Sequence, residues 1–479
     1  MMIEHRLMSW WRAGLVLVAL SSACTKPNPK SCQDGTCTDP AFPFCDVDGA
    51  LTGEAETCIA IACTANEFVA CRGDRAITCN TTGTDYELEL CSGGCNEAAR
   101  GCRRCEPNET VCENGQVQTC DADGAVVASE VCPLGCFEDQ PRCRQVDPSN
   151  NLGMYLDMVT NAPDLDLSAA TFVVDTGVVS AGGIMLTVPN FLHPSAGNGA
   201  SIRVFVVNSL RLNSATFYVT GDPRATVSSA VAIVSKGEIR VEGELILGPR
   251  IGGAVQGCLA GHSTSIDISG NTLRGGGGGG GNATAGAKGG NAGLNAFGGT
   301  MDGVSGAATL VPLRGGCRGA FSTNPGDYHN GGGALQLSAG TRIDVDATID
   351  VRGSVGEVEL PGTTGDAGAT GGGGAGGSIL LEAPDVILKA NVRLLASGGA
   401  GGEFCQHVSF PCGLGGAGAT STSLATPGGD ATPSSSPAIG GGGGGGLGRV
   451  RINSRDSTYT KSSSVLEDAS VTAGTIRTR

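Results

Sequence analysis

From Leu152 onward, apolar and polar residues alternate in short blocks punctuated by glycine. Residues 239–248 read IRVEGELILG, residues 343–353 IDVDATIDVRG, residues 386–398 VILKANVRLLASG, and residues 210–221, more loosely, LRLNSATFYVTG. Each follows one template: apolar-x-apolar, a small residue or Asn, apolar-x-apolar, then Gly. Alternation with a period of two marks a half-buried strand, and the small central residue predicts a corner. The upstream halves match as well. GGALQLSAG at Gly332 and GGSILLEAP at Gly376 stand 44 residues apart, the second turning at Ala383-Pro384. A motif that repeats and cannot bury its face alone predicts stacking on its own copies. The expected fold is all-β: a parallel β-helix (solenoid) over residues 152–455, with no long helix beyond the first residues.

Glycine runs interrupt the coils at residues 275–281, 289–290, 331–333, 371–377, 398–402 and 440–446. Glycine loses the most entropy on ordering and offers no side chain to bury. Two readings stand: flexible loops thrown out of one corner, or extended glycine strands packing side by side on the solenoid surface.

A different pattern fills residues 32–144, where cysteine sets the rhythm. Cys32, Cys37, Cys45 and Cys58 come first. A tandem repeat follows, Cys63, Cys71, Cys79, Cys91, Cys95 and Cys102 (residues 63–102), then Cys105, Cys112, Cys120, Cys132, Cys136 and Cys143 (residues 105–143). All but the first pair keep an offset of 41 residues. Such units are too short for a core of their own, so disulfides stabilise them. Hairpin turns are expected at Arg72-Gly73-Asp74 and Glu113-Asn114-Gly115, and near Gly83 and Gly124; the spacing leaves connectivity open. Residues 145–151 read as a linker. Cys258, Cys317, Cys405 and Cys412 lie beside the glycine runs as candidate staples. Residues 456–479 form a polar tail, with one terminal strand expected over 471–476.

The first residues look like an address. His5, Arg6 and Arg12 flank the apolar stretch AGLVLVAL (13–20), too short to span a bilayer. Ser21-Ser22-Ala23-Cys24 resembles a bacterial lipobox, which makes residues 1–23 a signal peptide, Cys24 the lipidation site and residues 24–31 a tether; plain cleavage after Ala23 is the alternative. Of 21 cysteines, removing Cys24 leaves an even twenty. Acyl chains contribute about 0.8 kcal/mol per buried methylene, so two or three give lasting attachment. With Thr25 next, the expected location is the outer membrane or cell surface.

The net charge is −15 and no Lys/Arg cluster follows the N-terminus, which argues against a nucleic-acid partner. No catalytic residue, metal ligand set or cofactor is assigned. Cys102-Arg103-Arg104-Cys105 is a CxxC at a repeat junction, read as structural. His407 between Cys405 and Cys412 lacks a fourth ligand partner for zinc. Arg72-Gly73-Asp74 spells an adhesive tripeptide, but Glu113-Asn114-Gly115 fills the same slot, so the slot asks for a turn. Residues 281–288 fail the phosphate-loop pattern. His193, His262 and His329 are scattered singles. The best enzymatic candidate is the outward face of the coils: Arg342, Asp344, Asp346, Asp350 and Arg352, with Arg240, Glu242 and Glu244 on the coil before. Carboxylates there could hold Ca²⁺ while an arginine abstracts a proton from an acidic polysaccharide; charges on a strand's solvent side are usually just solubility, and the Asp-x-Asp spacing alone is a weak signal.

SSAC, CTDPAFPFCDVDG, the six-cysteine repeats with Gly94-Cys95 and Gly135-Cys136, and GGGAGGSILLEAP followed by GGGGGGLGRVRIN together resemble a recurring group of predicted myxobacterial surface lipoproteins. The resemblance covers nearly the whole chain. It implies a secreted, envelope-attached protein with a pectin-lyase-like β-helix domain, and it carries no established activity. The expected role is therefore non-enzymatic: structural, adhesive or ligand-binding, with the membrane as partner through the anchor and envelope polysaccharide or other surface proteins as further partners. A polysaccharide lyase or hydrolase, and a protein-interaction module in the cysteine repeats, are the competing readings.

Overall fold

The computed structural model describes residues 31–479 apart from 33–35, 48, 50, 61–62, 84, 92, 99, 104, 195–199, 219–228, 248–257, 259, 269–270, 321–327, 360–368, 405–412 and 432–437. Cys24, the segment before it, Cys405, His407 and Cys412 lie outside the described residues. The protein is nearly all β, with 44% of the described residues in strands and 2% helical. It divides into two compact units, one running up to Val131 and including 138–141, the other comprising 132–137 and 142–479.

The first unit is built from small antiparallel sheets stapled by disulfides. Phe44–Asp46 pairs with Thr57–Ile59, bracketed by Cys32–Cys45 and Cys37–Cys58. In the first repeat, Phe68–Arg72, Arg75–Cys79 and Tyr86–Leu90 form a three-stranded sheet. In the second, Thr110–Glu113, Gln116–Cys120 and Val126–Val131 do the same. The expected turns are there. Asn114 and Gly115 both hold positive φ, as does Gly73 in the equivalent turn, and Gly83 and Gly124 serve the second hairpins. That backbone matches the twist of the flanking strands. Cys63–Cys79, Cys71–Cys95 and Cys91–Cys102 link first to third, second to fifth and fourth to sixth cysteine. Cys105–Cys120 repeats the first of these links, and Cys132–Cys143, whose residues fall in the second unit, repeats the last; Cys112 and Cys136 are disulfide-bonded too.

The second unit rests on two sheets, of ten and seven strands. Its principal strands are β1 (Asp164–Val173), β2 (Ile202–Val207), β3 (Ser209–Tyr218), β4 (Ala230–Ser235), β5 (Ile239–Leu247), β6 (Ala334–Ala339), β7 (Arg342–Asp350), β8 (Ser378–Glu382), β9 (Asp385–Leu388), β10 (Arg393–Leu395), β11 (Arg449–Ser454) and β12 (Ser470–Thr475). The ten-stranded sheet takes β1, β3, β5, β7, β9 and β10; the seven-stranded sheet takes β2, β4, β6, β8, β11 and β12. From β1 to β9 the chain thus alternates between the sheets, and these strands pair with their spatial neighbours in parallel. Antiparallel strands, Val178–Ala181 with Ile184–Leu186 and Asn190–His193, border the β1 and β2 edges.

Register follows the apolar pattern. Leu210, Ile239, Ile343 and Val386 stand side by side across four strands, as do Leu212, Val241, Val345 and Leu388. All are buried in one core with Phe172, Phe205 and Phe217. The corners lie between the sheets, at Asn208, Lys236–Glu238, Gly340-Thr341 and Ala383-Pro384. In the first three repeats the mid-repeat residue is not a corner, and in the fourth a turn at Ala390-Asn391 separates β9 from β10, which both pair with β7. Ser214 (φ +63°) and Gly243 (φ +78°) sit inside continuous strands, and the register shifts between Asn213 and Ala215. A left-handed residue there kinks the strand as a bulge does. The 44-residue step is direct strand pairing, Ala334 with Ser378 through Ser338 with Glu382.

The glycine runs are packed, not loose. Gly371, Gly374 and Gly377 donate their amides to Glu357, Ser354 and Val351; Gly372 and Ala375 to Ala320 and Cys317; Gly373 and Gly376 to Gly443 and Gly446. Successive residues thus address three different neighbours in rotation. Residues 441–446 repeat the scheme, with Gly441 and Gly444 bonding to Gly429 and Thr426, Gly442 and Gly445 to Gly402 and Gly399, and Gly443 and Gly446 to Gly277 and Gly280. Residues 275–280 do so again toward 261–264, 287–290 and 370–373. Three residues per turn with no internal hydrogen bond is the signature of a polyproline II helix, which must find every backbone partner outside itself. These segments form a lattice of such helices, leaving the ends of the β-strands: residues 351–357 follow β7, residues 371–377 lead into β8, and residues 440–448 lead into β11. The neighbours approach so closely that a Cβ on Gly276, Gly373 or Gly442 would overlap the carbonyl oxygens of Gly441, Gly399 and Gly371. Cys258–Cys317 staples two legs of this block.

Candidate functional site

The outward face of the ten-stranded sheet collects the charged residues singled out from sequence. Because Ile343, Val345, Ile349 and Val351 point into the core, strand alternation turns Arg342, Asp344, Asp346 and Asp350 the other way. Parallel in-register pairing then sets Asp166, Arg211, Arg240 and Asp344 in one row and Asn213, Glu242 and Asp346 in another.

The charges on this face answer one another. Arg342 reaches Glu238 at 3.3 Å and Asp344 at 3.4 Å, and Arg240 reaches Asp344 at 3.6 Å. Asp344 is buried between its two arginines. Arg211 pairs with Glu242 at 3.1 Å, and that bond holds its guanidinium above the ordinary arginine range. Arg352 grips Asp350 and is raised likewise. Asn391 donates to Asp346 at 3.3 Å. Asp164 accepts from the Ser209 hydroxyl at 2.5 Å and from Asn208 at 2.8 Å, which lowers its pKa. A shallow cavity of about 260 Å³ lies here, lined by Asp164, Asp166, Ser209, Arg211, Glu238 and Arg240. The carboxylates are thus engaged by arginines or by neutral donors rather than converging on a common point as cation ligands do. Among the described residues, the triples of ligand-type side chains that do converge are Cys32/Cys37/Cys58 and Cys258/Asp302/Cys317, and every sulfur in them is committed to a disulfide.

The other motifs take structural places. Cys102 bonds to Cys91 and Cys105 to Cys120, so the CxxC pair never meets. Arg72-Gly73-Asp74 is a hairpin turn. His193 Nδ1 stands 3.0 Å from the Tyr155 hydroxyl, and burial lowers its pKa. His262 is exposed on a lattice leg, and His329 belongs to the short strand Tyr328–His329.

Sequence reasoning passed over a polar cluster on the other sheet. Glu382 is 2% exposed, yet its carboxylate accepts from the Ser149 amide (3.0 Å) and hydroxyl (2.6 Å), Gln336 Nε2 (2.9 Å), the Ser338 hydroxyl (2.9 Å) and Asn453 Nδ2 (2.9 Å). A lone carboxylate inside the apolar run SILLEAP was the available signal, since a buried charge must be fully bonded. Residues 145–151, expected as a linker, pack here within the second unit: Val146 and Asp147 pair with Thr478 and Arg477, and Asn150 bonds to Gln336 and Leu313. No family model, curated protein or solved structure matches the chain.

Proposed function

We propose that this chain is an exported, envelope-attached protein with a non-enzymatic role in adhesion or ligand binding. Its second unit is read as a two-sheet parallel β-solenoid that carries the glycine lattice as a rigid extension. The observation that carries this reading is the lattice itself. A large share of the chain is spent on helices whose backbone amides are bonded to one another, which suits stiff projection. The lattice rim offers contact groups, with Leu294 at 89% and Phe297 at 55% exposure. The mutual pairing of Arg240, Arg342 and Asp344 supports a stabilising use of the charged face, and disulfide density favours an oxidising compartment.

Cell fractionation tests the attachment. The wild-type chain is expected in the detergent-extracted outer membrane and Cys24→Ala in the soluble fraction; a Cys24→Ala protein that stays in the membrane rules the anchor out. Binding is checked with the purified second unit on envelope polysaccharide and on whole cells. Retention should drop with Leu294→Asp/Phe297→Asp, and retention by the disulfide unit alone would move the role to the cysteine repeats. Release of unsaturated sugars from an acidic glycan, lost in Asp344→Ala, would replace this reading with the lyase.

A further inference from the structure

Residues 145–157 run across the seven-stranded sheet on the side away from the ten-stranded sheet, and they touch the stack from one end to the other. At one end Gln145 and Arg479 exchange backbone hydrogen bonds, and Val146 and Asp147 pair with Thr478 and Arg477, just beyond β12; the Arg479 side chain reaches along the segment to Asp157. In the middle Ser149 bonds to Glu382 on β8, and Asn150 to Gln336 on β6. Beyond that, Leu152, Tyr155 and Leu156 bury against Ile202, Val204, Val206, Ala230, Ala232 and Val234 of β2 and β4. At the far end Tyr155 stacks on Phe191 and meets His193.

Stacked coils without such a crossing segment touch only their neighbours, so their stability is a sum of local terms and the ends can open independently. We propose that residues 145–157 are a tie that makes the stack open as one cooperative unit, fastened at Glu382. The fastening joins the tie to three coils at once: Gln336 and Ser338 on β6, Glu382 on β8, and Asn453 on β11. Asn453 in turn accepts from Arg451 at 2.8 Å, which carries balancing positive charge toward the buried carboxylate. A carboxyl group suits this place because it accepts on two oxygens, whereas an amide would turn one donor group onto donors already in place.

Native-state hydrogen exchange on the full chain, followed against low denaturant, tests the tie. In the wild type, amides of β2 and β12 should open together with those of β6 and β8. Glu382→Gln should speed exchange in residues 149–156 and in β12 by about 100-fold relative to β6, the expected loss of one or two charge-assisted hydrogen bonds, while Gly373 and Gly443 stay protected. Ser149→Ala keeps the carboxylate and one of its two bonds to the tie, so it should give a smaller shift of the same pattern, about 10-fold, and it carries the test if Glu382→Gln does not fold. Wild-type ends that exchange ahead of the middle would overturn the proposal. So would variants whose end strands are unchanged, or whose strands all lose protection equally.

Discussion

The second unit contains two solutions to the same backbone problem, joined end to end. In the sheets, each strand bonds to the neighbour on either side and turns alternate side chains into a core, so burial of Phe205, Leu212 or Ile343 supplies the driving force. In the lattice, each helix spreads its bonds over three neighbours and has almost no side chains to bury. There, a net gain of about 0.5–1.5 kcal/mol per hydrogen bond must offset an ordering cost of about 1–2 kcal/mol per residue, larger for glycine. Burial drives the sheets to order, while the lattice, with little to bury, is held where its legs run into the strands and at its staple. A side chain is therefore the asset of one half and the poison of the other.

Truncating the side-chain half should have the largest effect. Phe217 is fully buried and stacks on Phe172 at 4.6 Å; Phe217→Ala should cost up to about 5 kcal/mol in denaturant unfolding. Next comes the staple. Cys258→Ser with Cys317→Ser frees a loop of sequence separation 59 and should cost about 4 kcal/mol, with the loss of exchange protection confined to lattice amides. The reverse experiment adds a side chain where none fits. Gly373→Ala, whose Cβ would meet Gly399 O, should cost about 3 kcal/mol through strain and lost bonds. Ala400→Ser on a neighbouring leg, where the side chain already faces solvent, should be silent. Equal effects at Gly373 and Ala400 would mean the lattice is not close-packed. On the sheet's outer face, Asp344→Asn leaves two arginines without their shared partner and should cost about 2 kcal/mol.

The smallest effect is a pH dependence at the stack's edge. His193 titrates below its ordinary 6.5 because it is partly buried. The unfolded chain then binds a proton more readily than the folded one, so stability should fall as pH drops through about 6.5. Denaturation midpoints at neutral pH and about pH 5.5 would show it, and His193→Gln should flatten the difference.

What could be read in advance follows the same division. Period-two alternation announces strands because side chains carry it, and Ile343, Val345, Ile349 and Val351 fall on the inward face as their spacing requires. Asn114-Gly115 announces its turn by its own backbone preference. A run such as residues 371–377 holds no such signal. Its three-residue period exists only in the directions of its amides, and glycine writes none of that into the sequence. The kinks at Ser214 and Gly243 look like corners because small residues suit both. The Glu382 cluster joins Ser149 to a residue 233 positions away, a pairing that no local pattern encodes, and cysteine spacing is equally silent on which sulfurs meet.

The rotation of bonding partners also constrains how this molecule can change length. Adding one residue to the leg 371–377 would turn everything beyond it by a third of a turn, and Gly376 would then offer its amide to the wrong neighbour. Only whole turns preserve the match. Insertions and deletions in the legs should therefore be accepted in steps of three residues, and in adjoining legs together. A family of such chains would differ in reach by discrete increments of about 9 Å, as if cut to a gauge.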